Sequence, residues 1–160
     1  MISWLRIVVV AGLAGMSLSG VSLAQESLIW NAKTSGSFVT LSYGPLDPQK
    51  NPLFMLSCLN GMGIAVLTLR PDLGDTKTGA PLAIELTGGG ATASVEGEAA
   101  RDETTGTTYA EASDIKVKPI VEVLRTNGPI TVKAGDATLK LADHNLAQSV
   151  DQFTKDCVLD

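Results

Sequence analysis

The sequence predicts a mainly β domain, an antiparallel sandwich or open barrel completed by a short helix and a C-terminal helix. Short runs of alternating apolar and polar residues recur along the chain, punctuated by Gly, Pro and Asn. Only two late segments switch to a helical period. Strands and helices do not alternate in the way a parallel nucleotide-binding sheet requires, so that architecture is excluded.

The first 24 residues, MISWLRIVVVAGLAGMSLSGVSLA, place Arg6 ahead of an apolar stretch from Ile7 to Leu18, followed by small residues Ser22 and Ala24. This order of charge, apolar run and small-residue site is that of a secretory signal peptide cleaved after Ala24. The apolar run is shorter than the roughly 20 residues that span a bilayer. Its removal leaves residues 25–160 as a single β-rich domain with a real core.

The strands then follow in order. Phe38 to Tyr43 puts Val39, Leu41 and Tyr43 on one face, and Leu53 to Cys58 does the same for Phe54, Leu56 and Cys58. Asn60-Gly61 separates the second run from Met62 to Leu69, and an Asn-Gly step between alternating segments signals a hairpin because both residues accept positive φ. Further strands are expected at Leu82 to Leu86, Thr92 to Glu96 and Thr107 to Ala112, with a flexible hairpin loop at Gly88-Gly89-Gly90 and a loop at Arg101 to Gly106. Pro119 to Arg125 carries Ile120, Val121, Val123 and Leu124 as a short helix, closed by Asn127-Gly128 and Pro129. Two strands resume around Ile130 and Val132 and around Leu139 and Leu141, with Gly135-Asp136 as their turn. Asp143 is positioned to cap a last helix in which Leu146, Val150, Phe153 and Cys157 form one apolar stripe.

Charge narrows the partners. The chain carries 12 basic and 17 acidic residues, net −5, and loses one more cation with Arg6. A negative balance without basic clusters argues against nucleic acid and fits solubility. The two cysteines, Cys58 and Cys157, are most simply a disulfide in an exported chain. Closing a loop of about 100 residues restricts the unfolded chain by about 4 to 5 kcal/mol on the chain-entropy account.

Residues able to do chemistry are sparse. His144, the single histidine, follows Asp143, and a carboxylate-oriented imidazole is the basis of a general base. No Gly-x-Ser-x-Gly elbow supplies a nucleophile in residues 25–160. One histidine and two paired cysteines cannot assemble a zinc site. Asp72, Gly74 and Asp75 resemble a fragment of a calcium loop, but the expected Glu is missing and Lys77 intrudes. The glycines at 88 to 90 lack the spacing of a phosphate-binding loop. Glu96 and Glu98 share a strand face, as solvated residues do, and Trp30, Tyr43 and Tyr109 are the only Trp and Tyr residues within 25–160 from which to build a sugar-stacking platform. No cofactor and no metal is expected.

Three segments, FMLSCLNG (54 to 61), PIVEVLRTNGPITV (119 to 132) and TLKLADHNLAQSVDQFTKDC (138 to 157), give the chain an outline. It resembles small exported proteins of Gram-negative bacteria, particularly the invasion-associated locus B type. That resemblance implies a periplasmic β-rich protein with no catalytic residues to carry over.

The expected function is therefore a non-enzymatic periplasmic or secreted domain that binds protein at the bacterial envelope or towards a host. An alternative is an inhibitor of a lysozyme-like hydrolase, which needs an exposed rigid loop to fill a cleft; Pro45 to Pro52, Pro71 to Ala80 and Arg101 to Gly106 are the candidates. A third reading is an envelope hydrolase using Asp143 and His144.

Overall fold

The computed structural model describes residues 27–47, 49–59, 62 and 64–157. Its elements are β1 (Leu28–Ser35), β2 (Phe38–Pro45), β3 (Phe54–Leu59), β4 (Ile64–Leu69), β5 (Pro81–Gly88), β6 (Ala91–Arg101), β7 (Thr108–Lys116), α1 (Val117–Leu124), β8 (Ile130–Ala134), β9 (Ala137–Leu141) and α2 (Leu146–Asp156). The nine strands form one sheet in the order β1-β2-β3-β4-β7-β6-β5-β8-β9, antiparallel throughout and curled into a half-barrel. Of the two forms the sequence left open, a single continuous sheet is the open barrel.

Period-two alternation decides which face is buried. Trp30, Leu41, Phe54, Leu56, Leu67, Leu69, Ile84, Leu86 and Val132 all point inward, and the register keeps them opposite one another, as in Leu41 against Leu56 and Leu56 against Leu67. The helices fill the enclosed side. Helix α1 buries Ile120, Val121, Val123 and Leu124 against β5 and β6, while α2 buries Leu146, Val150 and Phe153 against β1 and β2.

Curvature has a local cause at Gly97. Strand β6 pairs with β5 as far as Glu98, then with β7 from Glu98 to Arg101. At the changeover a Cβ on residue 97 would lie 2.5 Å from the Glu111 carbonyl oxygen and 2.9 Å from Ile84 Cδ1. Only glycine lets the strands approach so closely there. A bulge in β7 adds to the bend: its pairing with β4 shifts between Ala65 and Leu67, with Asp114 at φ 54°.

The curl brings the two sheet edges together. The Trp30 indole N–H of β1 donates to the carbonyl of Ala142, just beyond β9, at 2.6 Å, and the Ala142 N–H donates to the Tyr43 hydroxyl at 3.3 Å. Trp30 also packs on Tyr43 and Phe54, with ring centroids 5.2 and 5.3 Å apart. The aromatics read from the sequence as a possible platform are thus mostly structural, stitching first strand to last.

Several local expectations change. Strand β1 is absent from the sequence reading, although it forms a tight hairpin with β2 through Gly36 at φ 60°. The three glycines do form the expected hairpin turn, and two of them are packed against the protein. Gly89 and Gly90 make the β5–β6 turn at φ 50° and 88°, and Gly88 and Gly89 lie against Thr126, where any Cβ would collide. Helix α1 starts at Val117 and its C-cap is Arg125, three residues before Gly128. Asp143 does not cap α2: the N-cap is Asn145 at φ 64°, and Asp143 contributes only its carbonyl to the Leu146 N–H. The β3–β4 pairing is antiparallel, while Asn60-Gly61 and residues 1–24 lie outside the described residues.

Candidate functional site

Cys58 on β3 and Cys157 at the end of α2 form a disulfide with Cα atoms 5.9 Å apart. Both are buried. Alternation turns Cys58 into the core and the helical stripe turns Cys157 towards it, so the bond fastens the C-terminal helix to the sheet. At the last residue of the helix, Asp156 accepts a hydrogen bond from the Thr34 hydroxyl of β1 at 2.7 Å.

Two of the three candidate loops meet at one end of the half-barrel. Connecting β4 to β5 requires crossing the ends of β7 and β6, because those strands lie between them. Residues 71–80 make that crossing as a strap, seated by buried Pro71 and Leu73 and tied to β6 where Gly79 N–H donates to the Ala99 carbonyl at 2.7 Å. Beside it stands the β6–β7 turn, organised around one carboxylate. Asp102 accepts the backbone N–H groups of Thr104 and Thr105 at 3.0 and 3.1 Å and pairs with Arg70 at 3.1 Å. The hydrogen bond from Thr105, with those from Thr104 and Arg70, holds the Asp102 carboxyl below its usual range against an opposing desolvation. Arg70 in turn stacks over Tyr109, 4.7 Å from the ring centroid. Burial, reinforced by Glu111, pushes the Tyr109 hydroxyl up, so the ring stays neutral beneath the guanidinium.

The outer face carries a different feature. Phe38 and Val66 are exposed on it, as is Met62 at the adjoining turn; Phe38 retains 57% of its accessible area and Met62 56%. Phe38 faces Leu59 across β2 and β3, and Ile64 faces Lys116 across β4 and β7. Leu59 and Ile64 are half-buried. Together these residues make an apolar stripe running across the strands. Lys33, which faces Thr40 on the same outer surface, flanks one end, and Lys116 the other. Isolated exposed apolar residues are ordinary, but a contiguous row on a sheet face marks a contact surface.

Asp143 and His144 are both exposed on the turn between β9 and α2. Their side chains hydrogen-bond neither to each other nor to any other described residue, so the imidazole is not oriented by a carboxylate. Glu96 and Glu98 point outward from β6, with Glu98 directly opposite Glu111. Like charges directly opposite one another across two strands repel. Asp72 accepts the Gly74 N–H at 3.0 Å in a local turn, and no cluster of metal-binding side chains occurs among the described residues.

No family model, curated protein or solved structure matches the chain.

Proposed function

We propose that this protein is a non-enzymatic binding module exported to the periplasm or beyond, which engages a partner protein through the outer face of β2, β3 and β4. The exposed stripe of Phe38, Leu59, Ile64 and Val66 with Met62 carries the reading. Such a stripe supplies the apolar centre of an interface, and Lys33 and Lys116 supply a charged rim. In a chain of net charge −5, two lysines bounding an apolar row select a partner whose own apolar ridge is bordered by acidic side chains. Export is supported by the disulfide, a bond that persists in oxidising compartments, and by the resemblance to exported envelope proteins. Among the described residues no helix is long and apolar enough to cross a membrane.

The test is a paired comparison. Phe38→Ser combined with Val66→Ser removes the two exposed strand residues of the stripe while leaving the inward-facing core intact. The double variant keeps the wild-type melting temperature and loses the partner in affinity capture. Full retention of the partner by the double variant overturns the reading.

Inhibition of a hydrolase remains a second reading because of one observation. The Asp102 turn is held by its own hydrogen bonds and by Arg70, and a loop fixed before binding avoids the entropy cost of ordering it. That reading requires Asp102→Ala to weaken inhibition of a lysozyme-like enzyme.

A further inference from the structure

We infer that the cleft between the strap and the β6–β7 turn binds a short peptide by its two free termini. The cleft encloses about 670 Å³ and is lined on one side by Arg70, Arg101 and Thr108 from the strand ends, and on the other by Asp72, Asp75 and Thr76 from the strap. That volume lies within the range of small-molecule sites. Its charges are segregated by element, guanidinium groups on the sheet side and carboxylates on the strap side. No ion pair joins the two sides among the described residues: Arg70 pairs with Asp102 of the β6–β7 turn, Asp72 accepts a backbone N–H, and the Arg101 guanidinium has no hydrogen-bond or ion-pair partner among the described residues.

A ligand of one sign meets attraction from one wall and repulsion from the other. One carrying a carboxylate and an ammonium satisfies both. Arg70 and Arg101 are separated by β7, since Arg101 faces Thr108 on β7 and Leu69, beside Arg70, faces Ala110 on the same strand. Two strand spacings place their backbones about 10 Å apart, and because Arg70 is already paired with Asp102, the uncompensated positive charge on that side comes from Arg101. Arg70 is fixed in advance by Tyr109 and Asp102, and Arg101 supplies the free guanidinium, whose planar fork suits a carboxylate. The strap is fixed too, by Leu73 and by the hydrogen bond from the Thr76 hydroxyl to the Leu73 carbonyl at 2.6 Å. Threonine hydroxyls and polar backbone dominate the rest of the lining, so recognition falls on the termini and not on apolar side chains.

The experiment is an amide-shift titration of the isotope-labelled, oxidised protein with trialanine, N-acetyl-trialanine and trialanine amide. Trialanine is expected to shift the amides of residues 71–76 and 101–108 saturably, and each blocked peptide to bind at least about tenfold more weakly. Arg101→Gln is expected to weaken trialanine about tenfold or more, with the amides of β2 and β3 unmoved. Equal response to all three peptides, saturation by N-acetyl-trialanine alone, an unaltered Arg101→Gln titration, or no saturable shift overturns the inference.

Discussion

Removing the disulfide should cost this fold a large share of its stability. Cys58 and Cys157 lie 99 residues apart, and closing a loop of that length is worth about 4.7 kcal/mol on the chain-entropy account. A typical domain has about 5 to 15 kcal/mol in total. Replacing both cysteines by alanine also removes two buried sulfur atoms from the core, which adds to the loss. For a domain of this size the combined change corresponds to a melting temperature lower by roughly 10 to 20 °C. The assay is thermal unfolding of wild type and Cys58→Ala/Cys157→Ala, with the reduced wild type as a third sample. Hydrogen exchange supplies the spatial detail: amides around Val150 and Phe153 in α2 lose protection before those of β3 and β4, because the helix is the element that the bond fastens. A difference below about 5 °C, or uniform loss of protection across sheet and helix, refutes the argument.

Further outcomes follow from single contacts. Trp30→Phe forfeits the 2.6 Å bond to Ala142 and part of the aromatic packing; a loss of about 2 kcal/mol is expected by denaturant unfolding, with faster exchange in β9. Gly97→Ala sets a methyl 2.5 Å from the Glu111 carbonyl oxygen, and a loss of about 3 kcal/mol, or failure to fold, is expected in the same assay. The Asp102 turn should be acid-labile. Its carboxyl is depressed below the ordinary value of 3.8, so its contribution is complete above that value and is lost as pH falls through the lower folded one; the Thr104 and Thr105 amide shifts, followed against pH, should therefore hold steady down to about 4 and move below it.

The architecture was readable where alternation was strong. Val39, Leu41 and Tyr43, and again Phe54, Leu56 and Cys58, announce their strands because they recur at every second position, and the stripe from Leu146 to Cys157 announces its helix. Strand β1 escaped because Leu28, Ile29 and Trp30 are consecutive and Asn31 to Ser35 offers only Ala32 to the core. Its membership depends on pairing with β2 and on the reach of Trp30 to Ala142, neither of which is local. Gly97 is similar: its role comes from β7, which follows it in sequence. The disulfide was legible from cysteine count and apolar placement. The outer stripe was not: alternation sets Phe38 on the face opposite to Val39, Leu41 and Tyr43, but only the pairing of β2, β3 and β4 shows that Leu59, Ile64 and Val66 lie beside it. The cleft likewise needed the strap's crossing over β7 and β6 to bring Asp72 and Arg101 together.

The most direct test of the binding face is photocrosslinking in living cells, with a photoreactive amino acid placed at Phe38, at Val66, or at Ser94, which is exposed on the same outer surface but on β6. The account predicts one discrete protein adduct, shared by positions 38 and 66 and missing at 94. Adducts missing at both stripe positions, or equally strong at all three, would contradict it.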